Sequence, residues 1–426
     1  MKSSKNYWPR LADEALREKL SDVPAVLVRG PKWCGKTSTC SQIAASSLML
    51  RDPGVFQNSV NAAQVQPSLL LRGAQPRLLD EWQLLPVLWD AVINEADKAG
   101  GAPGQYLLTG SATPPNPSAR KHTGTGRIAR VDMSTMTLEE SRESTCEVSL
   151  AALFAGVGLV EGVSSLSVEN YSRIICRGGW PALVARGGGA GGLVSDYIDA
   201  LCETDIAEAS GEGIDPGKAH ALIRSLSRSV SQEASNVTIL ADVRDAGTGM
   251  SEPTLRKYVE VLRRMFVVRE LKAWAPTLRS RTPLRSSRTW HLCDPSLAAA
   301  ALETNEDGLL NDLETMGYLF ESLCVRDLRV YAHLLGGDVY HYRDKSGLEA
   351  DAIVRLRDGR WAGFEVNLGG EERIDEGARH LLALADRVDA RRTGSPSFLA
   401  VLTGGRYAYT RADGVHVIPL GCLCSG

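Results

Sequence analysis

A glycine-bounded segment followed by lysine and a hydroxyl residue has the composition of a phosphate-binding loop. Residues 30–37 read GPKWCGKT and match the pattern G-x-x-x-x-G-K-[ST] in full. Glycines let the backbone turn so that successive N–H groups face phosphate oxygens, and the helix that follows adds its positive N-terminal dipole. The pattern predicts that Lys36 contacts the β- and γ-phosphates and that the Thr37 hydroxyl binds Mg²⁺. The predicted nucleotide-binding residues are Gly30, Pro31, Lys32, Trp33, Cys34, Gly35, Lys36, Thr37 and Ser38.

Two adjacent acids stand at the end of a later apolar run. The segment LLDEWQLLP at residues 78–86 places Asp80 and Glu81 where a buried strand would finish. In a parallel sheet that carries a phosphate loop, an acid at this position holds Mg²⁺, so Asp80 is the predicted metal ligand beside Thr37. Glu81 is the predicted base that polarises the attacking water. The alternative is a helix start whose acids face the helix dipole.

Three more residues are candidates for contact with the terminal phosphate. Thr109 and Ser111 stand at the carboxyl end of the strand-like GQYLLTGSA, where ligands of open α/β sheets bind. Either hydroxyl could sense the γ-phosphate, or it could simply end the strand. Arg127 follows residues 112–126, which are rich in Pro, Gly, Ser and Thr and are predicted to form a mobile loop. It could act as an arginine finger on its own or a neighbouring subunit, or it could lie on the surface.

These side chains need a scaffold that brings them to one edge. Residues 25–29 are predicted to form a short strand, and KTSTCSQIAASS, which starts at Lys36, a helix. PRLLDE at 76–81 and the run at 106–108 are predicted to be two more buried strands. The predicted fold class is α/β, with a parallel-sheet P-loop domain that precedes a winged helix and a nuclease-like α/β domain.

The middle of the chain predicts a helix-turn-helix with a wing. Residues 237–264 give two amphipathic helical patterns separated by Gly-Thr-Gly, and the strand-like FVVREL follows. Such a module either contacts DNA or RNA or serves as a packing unit. Between residues 263 and 288 one acid, Glu270, stands among eight basic residues: Arg263, Arg264, Arg269, Lys272, Arg279, Arg281, Arg285 and Arg288.

The C-terminal third contains a second acid pattern. Residues 340–368 alternate like two strands joined at Asp358-Gly359, and Glu365 and Asn367 would share one face. The segment resembles the PD-(D/E)xK nuclease core, with Asp351 and Glu365 as metal-binding acids. Glu321, in the preceding helical segment, matches the additional acid that is often found upstream. Asn367 stands where lysine belongs, so we expect a nuclease-like fold with weak or absent cleavage.

The order of these motifs resembles a known family. YWPR, GPKWCGKT, RLLDEWQ, LLTGSA and GR occur as in prokaryotic AAA+-like ATPases with an appended C-terminal domain of uncertain function. The resemblance continues through GGWP at 178–181 and TLRKYVEVLRRMFVVREL at 254–271 to the region near Glu365, so it covers nearly the whole chain. The family usually has Arg where this chain has Lys32. The resemblance implies ATP and Mg²⁺ as cofactors.

Composition limits the alternatives. The chain has 426 residues and a formal net charge of −3, which disfavours wholesale electrostatic binding to nucleic acid or membranes. Nine scattered cysteines and the lack of an apolar run of roughly 20 residues predict a cytoplasmic protein without a membrane span. The predicted domains are an AAA+-like ATPase at 1–140, a helical region at 141–235, a winged helix at 236–300 and a PD-(D/E)xK-like domain at 301–426.

The predicted function is Mg²⁺-dependent ATP binding and hydrolysis, with a nucleotide state that controls the winged-helix and nuclease-like domains. One alternative is a metal-dependent nuclease gated by ATP. Another is a regulator that holds nucleotide and binds DNA or a partner without hydrolysis. The predicted partners are ATP or ADP, nucleic acid at the basic region, and further copies of the chain.

Overall fold

The fold is available as a computed structural model that describes residues 7–112, 122–157, 159–188, 192–276 and 288–426. Most of the predicted mobile loop, and Arg279, Arg281 and Arg285 of the basic region, lie outside the described residues. The contacts divide the chain into two units. Unit 1 contains Met1–Thr135, Asp205–Gly213 and Glu260–Val267, and unit 2 contains Met136–Thr204, Ile214–Val259 and Val268–Gly426. The four predicted domain ranges stay a prediction.

Unit 1 contains the predicted parallel sheet. Its five strands have the order β2-β3-β4-β1-β5, and every neighbouring pair is parallel. The register sets Ala25 opposite both Tyr106 and Ile128. The strands are β1 (Ala25–Arg29), β2 (Ser46–Met49), β3 (Arg77–Asp80), β4 (Tyr106–Gly110) and β5 (Ile128–Asp132).

Helices cover this sheet and bury its apolar runs. Both faces of β1, β3 and β4 are buried, which is the expected environment for the near-continuous apolar segments of a parallel sheet. Two core clusters result, one containing Leu79, Trp82 and Trp89 and the other containing Val26 and Leu107. The helices up to β5 are α1 (Ala12–Asp22), α2 (Lys36–Ser41), α3 (Pro53–Val65) and α4 (Val87–Lys98).

Unit 2 contains a mixed sheet of eight strands in the order β7-β13-β14-β12-β11-β10-β9-β8. Its centre runs antiparallel through β9, β10 and β11, and then parallel from β11 to β12. The hairpin predicted at Asp358-Gly359 is therefore present as β10 and β11, and residues 340–343 belong to a third strand, β9. The strands of the rest of the chain are β6 (Val148–Ser149), β7 (Gly162–Val163), β8 (Lys272–Ala273), β9 (Gly337–Arg343), β10 (Glu349–Leu356), β11 (Trp361–Asn367), β12 (Leu399–Thr403), β13 (Tyr407–Thr410), β14 (His416–Pro419) and β15 (Leu423–Cys424).

The remaining helices flank this sheet in sequence. A long helix, α15, precedes β9, and α16 connects the parallel strands β11 and β12. The helices after β5 are α5 (Leu150–Ala155), α6 (Val168–Arg177), α7 (Pro181–Arg186), α8 (Leu193–Ala200), α9 (Ile206–Ser210), α10 (Pro216–Arg228), α11 (Asn236–Asp245), α12 (Glu252–Arg264), α13 (Pro295–Ala301), α14 (Glu306–Asn311), α15 (Leu313–Leu334), α16 (Glu371–Arg387) and α17 (Ala390–Thr393). Among the described residues, none of the helices has the length and apolar character needed to cross a membrane.

The region predicted to be a winged helix contains α11 and α12 in the expected order. Ser235 caps α11 by accepting a hydrogen bond from the Thr238 N–H, and Ser251 accepts one from the Thr254 N–H at the start of α12. Extended segments after α12 form isolated antiparallel bridges, such as Val268 with Leu292. Residues 236–300 therefore contain two helices followed by short paired segments.

Candidate nucleotide-binding site

The predicted phosphate loop connects the end of β1 to the start of α2. Gly35 has φ 101°, a left-handed conformation that strongly favours glycine. Gly30 is needed for a different reason, because a Cβ built there would lie 2.1 Å from the Met133 carbonyl oxygen. Both glycines of the motif are therefore required by the backbone path.

The Lys36 ammonium lies inside this loop. Its Nζ donates hydrogen bonds to the carbonyl oxygens of Gly30 at 3.0 Å and Pro31 at 2.7 Å, and the residue is only 4% exposed. Burying a positive charge against loop carbonyls costs free energy unless it is compensated, and buried charges of this kind mark functional sites. The loop thus concentrates positive charge where the motif predicts phosphate.

Asp80 connects two hydroxyl residues that the sequence places far apart. Its Oδ1 accepts hydrogen bonds from Thr37 Oγ1 and from Thr109 Oγ1, both at 2.7 Å. The three residues come from α2, β3 and β4, whose ends meet at one edge of the sheet. The structure therefore brings the predicted residues Thr37, Asp80 and Thr109 together.

The oxygen donors of Thr37 and Asp80 are of the type that Mg²⁺ prefers. No group of three or more His, Cys, Asp and Glu side chains in the described residues is arranged to hold a metal ion. Mg²⁺ commonly takes only one or two protein ligands and keeps several waters or phosphate oxygens. The donor set therefore fits Mg²⁺ that is shared with a phosphate and does not fit a metal held by protein alone.

Glu81 is held by several hydrogen bonds beside this pair. Its N–H donates to Thr109 Oγ1 at 2.9 Å, and its backbone has φ 56°. Its Oε2 accepts from Ser111 Oγ at 2.8 Å and also from the Gln83 side-chain amide. Arg51 Nε lies 3.6 Å from Oε1. The carboxylate is therefore fixed through one oxygen, while the other faces a cation.

The balance of charges keeps Glu81 ionised. Burial by itself would raise its pKa, but the Lys36 ammonium, the Gln83 amide, the Arg51 guanidinium and the Ser111 hydroxyl together lower the pKa below its usual value. A carboxylate that stays charged at neutral pH can accept a proton from water. The role of Glu81 as the base stays a prediction, which this geometry permits.

Residues outside the motif also hold the loop. Arg10, from the YWPR segment, donates to the carbonyl oxygens of Cys34 at 2.7 Å and Ser134 at 2.9 Å. Lys32 Nζ lies 2.5 Å from Asp205 Oδ1. Sequence reasoning assigned no role to Arg10, Arg51, Gln83 or Asp205. Of these four residues, only Arg10 lies in a motif that the sequence pointed out, the YWPR segment.

Arg127 does not reach this cluster within its own chain. It directly precedes β5, and its carbonyl oxygen accepts from the N–H of Ala25, at the start of β1. The loop begins after the other end of β1, roughly 13 Å along the strand at about 3.3 Å per residue. Arg127 Nε instead contacts Asp97 Oδ1 at 2.8 Å. The arginine-finger role of Arg127, within its own subunit or across a subunit boundary, stays a prediction.

A second group of acids lies in unit 2. Asp351 Oδ2 accepts a hydrogen bond from the Val366 N–H at 2.8 Å, which ties β10 to β11. Burial, partly opposed by that bond, raises the pKa of Asp351 to about 7. Burial, followed by the charges of Asp351 and Glu321, raises the pKa of Glu365 well above its usual value. The predicted acids thus influence one another electrostatically.

Asn367 makes a local contact next to these acids. Its Nδ2 donates to the Arg373 carbonyl oxygen at 3.3 Å. Helix α16 approaches closely there, since a Cβ on Gly377 would lie 3.1 Å from Glu365 Cβ and 3.2 Å from Asn367 Nδ2. His380 Nδ1 lies 3.8 Å from Glu365 Oε1, and no described residue forms a hydrogen bond with that oxygen. Position 367 therefore supplies a neutral amide beside the acids.

Comparison with known proteins agrees with the geometry of unit 1. Residues 22–141 match a AAA domain, residues 168–308 a domain of unknown function (DUF8612), and residues 316–423 a domain of unknown function (DUF4143). Uncharacterized proteins of Mycobacterium bovis and Mycobacterium tuberculosis are each 25% identical over 414 residues, which cover 96% of this chain and 83% of theirs. The Walker-type ATPase PABY2304 of Pyrococcus abyssi has 14% identity and a TM-score of 0.41, with coverage of 70% of this chain and 97% of that one. Residues 22–141 are therefore similar to a AAA domain, and the phosphate loop and the parallel sheet lie within this range.

Proposed function

We propose that this protein binds ATP and hydrolyses it with Mg²⁺. The observation that carries the proposal is the set of contacts in which Asp80 accepts from Thr37 and Thr109, while Thr109 also accepts from the N–H of Glu81. Two oxygen donors of the type that Mg²⁺ prefers, next to an ionised carboxylate, support this activity. The match of residues 22–141 to a AAA domain supports the same activity.

Each residue has a distinct role in the proposed reaction. The loop N–H groups and the Lys36 ammonium bind the phosphates, and the Thr37 hydroxyl and Asp80 carboxylate hold the metal. Bound Mg²⁺ would neutralise charge on the phosphate oxygens. Glu81 accepts the proton of the attacking water through Oε1, since Oε2 already accepts hydrogen bonds. Thr109 holds Asp80 and Glu81 in position through one hydrogen bond to each residue.

ATP titration and phosphate release test this proposal. Lys36→Ala is expected to lose most nucleotide affinity, because it removes the buried charge of the loop. Glu81→Gln is expected to bind ATP normally and to hydrolyse it about 10² to 10⁴ times more slowly. Lys98→Ala is the matched control, because this lysine pairs with Glu95 on the helix surface. Unchanged affinity in a folded Lys36→Ala protein would refute the assignment of the loop.

A second candidate function concerns unit 2, for which we propose a PD-(D/E)xK-like fold with weak or absent cleavage. Two observations support this fold. From α15 to β12 the order is one helix, three strands, two helices and one strand, and the acids interact with one another electrostatically. Asn367 argues against efficient cleavage, because an amide lacks the charge to stabilise a developing oxyanion. Incubation of the protein with DNA and RNA in Mg²⁺ or Mn²⁺ tests this. Cleavage that Asp351→Ala abolishes would favour the ATP-gated nuclease instead.

For residues 236–300 we propose a winged helix. Two of its described basic residues are paired with acids, since Arg288 lies 2.5 Å from Glu270 and Arg263 lies 3.4 Å from Glu260. Such pairing favours a packing role over tracking of a phosphate backbone. Affinity for DNA and RNA, measured at two salt concentrations, separates the two roles, because backbone contacts weaken steeply with salt.

The remaining proposals concern the setting and the assembly of the protein. All nine cysteines are free, which suits a reducing compartment such as the cytoplasm. We also propose that Arg127 acts across a subunit boundary and that the nucleotide state acts on unit 2. Mixing Arg127→Ala with Lys36→Ala chains should restore part of the ATPase rate if Arg127 works between subunits. A monomeric mass without rescue would contradict that role.

A further inference from the structure

One side chain of the phosphate loop is already paired with a carboxylate. Lys32, between the two motif glycines, places its Nζ 2.5 Å from Asp205 Oδ1. The Lys32 side chain is 23% exposed and that of Asp205 is 13% exposed, so water screens this pair only partly. The interaction is therefore stronger than a typical surface ion pair.

Asp205 comes from a segment with an unusual position in the chain. It ends the π-helical turn Leu201–Asp205 and immediately precedes α9. The segment Asp205–Gly213 belongs to unit 1, although the residues before and after it in sequence belong to unit 2. Two further features hold this segment in place. The Ile206 side chain is fully buried, and the Ala209 carbonyl oxygen accepts a hydrogen bond from Arg264 Nη2 at 3.0 Å.

Nucleotide phosphates would compete with Asp205 for Lys32. Lys32 lies in a loop that the motif wraps around phosphate, and a nucleotide brings several negative charges to that loop. The ammonium has three N–H donors but a single positive charge, so phosphate oxygens that reach it would lie beside the like charge of Asp205, and the two anionic groups would compete for that charge. A π-helical turn is also a local irregularity that is found often at functional sites.

We propose that Asp205 is a counter-ion that bound nucleotide displaces from Lys32, so that the Lys32–Asp205 pair lowers nucleotide affinity and reports occupancy of the loop to the segment Asp205–Gly213. The inference rests on the proposed nucleotide binding and adds its regulation. Coupling of this kind is reciprocal: if nucleotide weakens the ion pair, the ion pair weakens nucleotide binding by the same factor.

A double-mutant cycle with ADP and ATP as the titrated ligands tests the proposal. Asp205→Asn keeps the shape of the side chain and removes its charge, so nucleotide affinity is expected to rise on the order of 3- to 10-fold. The exposed Glu208→Gln, in the same segment, is the control for general charge effects and should leave affinity unchanged. In a Lys32→Gln background the gain from Asp205→Asn should vanish, whereas Lys32→Arg, which keeps the pair, should retain it.

Hydrogen exchange provides the second measurement. Saturating ADP is expected to speed amide exchange across residues 205–213 of the wild-type chain, since one of their anchors is released. Unchanged or lower affinity in Asp205→Asn, a gain that persists with Lys32→Gln, or slower exchange with ADP would each overturn the inference. If the folded wild-type chain binds neither ADP nor ATP, the proposed function itself fails. If the wild-type chain binds nucleotide and Asp205→Asn leaves the affinity unchanged, only the role of the Lys32–Asp205 pair fails.

Discussion

Ser111 is one of the neighbours that adjust Glu81, after Lys36, Gln83 and Arg51, because both its hydroxyl and its N–H donate to Glu81 Oε2, at 2.8 Å and 3.3 Å. These bonds stabilise the ionised form and help to lower the pKa of Glu81. A base must be ionised to act, so hydrolysis is lost as the pH falls through this pKa. Ser111→Ala should raise the pKa and move the acid limb of the kcat profile to higher pH.

The matched control is Ser59→Ala, whose buried hydroxyl donates to the Val55 carbonyl oxygen in α3. Measurement of kcat between pH 4 and 9 is expected to show the shift in Ser111→Ala alone. An acid limb that stays in place would mean that Ser111 does not set the charge of Glu81, or that another group is the base.

Thr109 is a second residue whose single hydroxyl serves two partners. It donates to Asp80 and accepts from the N–H of Glu81, and the residue is fully buried. Thr109→Val keeps the shape but leaves both partners short of a hydrogen bond, at a cost of about 1–3 kcal/mol in unfolding free energy. ATP turnover should fall as well, because Asp80 and Glu81 lose their common support. Thr109→Ser should restore both properties, and a stable, active Thr109→Val would refute the role.

At this scale the sequence predicted the residues that belong to contiguous patterns. Lys36 and Thr37 follow from the glycine motif, and Asp80 and Glu81 follow from acids that end an apolar run. Arg51 and Asp205 could not be predicted, because their contacts with Glu81 and Lys32 depend on chain segments that meet only in the folded protein. Arg127 precedes a strand, as its sequence context predicts, but the contact of its guanidinium with Asp97 depends on a distant segment of the chain and could not be predicted.

Among the elements, the turn before α7 shows why the chain carries GGWP. Gly178 has φ 71°, and a Cβ on Gly179 would lie 2.2 Å from the Met136 carbonyl oxygen. The Gly179 N–H donates to buried Asp294, whose Oδ2 also accepts from Arg326. The turn is therefore closed by backbone contacts that leave no room for a side chain.

Gly179→Ala is expected to destabilise unit 2 by about 1–3 kcal/mol or more, since the added methyl group forces backbone atoms apart. Thermal unfolding followed by circular dichroism measures the change. Gly188→Ala is the control, because a Cβ there meets no atom within 4 Å. Equal melting temperatures for the two variants would show that the turn can relax.

Element order was less predictable than element type. The apolar runs that form β1, β3 and β4 were recognised, as was the antiparallel pairing of β10 with β11 around Asp358-Gly359. β2 is only partly buried and lacks such a run. The strand order β2-β3-β4-β1-β5 depends on pairings between distant segments, which no local pattern specifies.

For the whole molecule, the buried acids of unit 2 link stability to pH. The folded-state pKa of Asp351, about 7, lies above the ordinary value of an aspartate. Between those values the folded chain binds more protons than the unfolded chain, so stability falls as the pH rises through this window. Above about pH 7 Asp351 is ionised in the folded chain, so the full free-energy cost of burying its charge reduces the stability of the fold.

Asp351→Asn removes that cost and should therefore raise the melting temperature by a few degrees at pH 8. The change should be much smaller near pH 4, where Asp351 is protonated in the folded state and about half protonated in the unfolded state. The amide oxygen can still accept the hydrogen bond that the Val366 N–H donates. Asp338→Asn, at an exposed position of β9, is the control for the loss of one carboxylate from the sheet. Melting curves with added Mn²⁺ extend the test. If the acids bind a cation, Mn²⁺ should raise the melting temperature of the wild-type chain at pH 8 and should not raise that of Asp351→Asn. A lower melting temperature for Asp351→Asn than for the wild-type chain in metal-free buffer would contradict the prediction, because it would show that the carboxylate stabilises the fold.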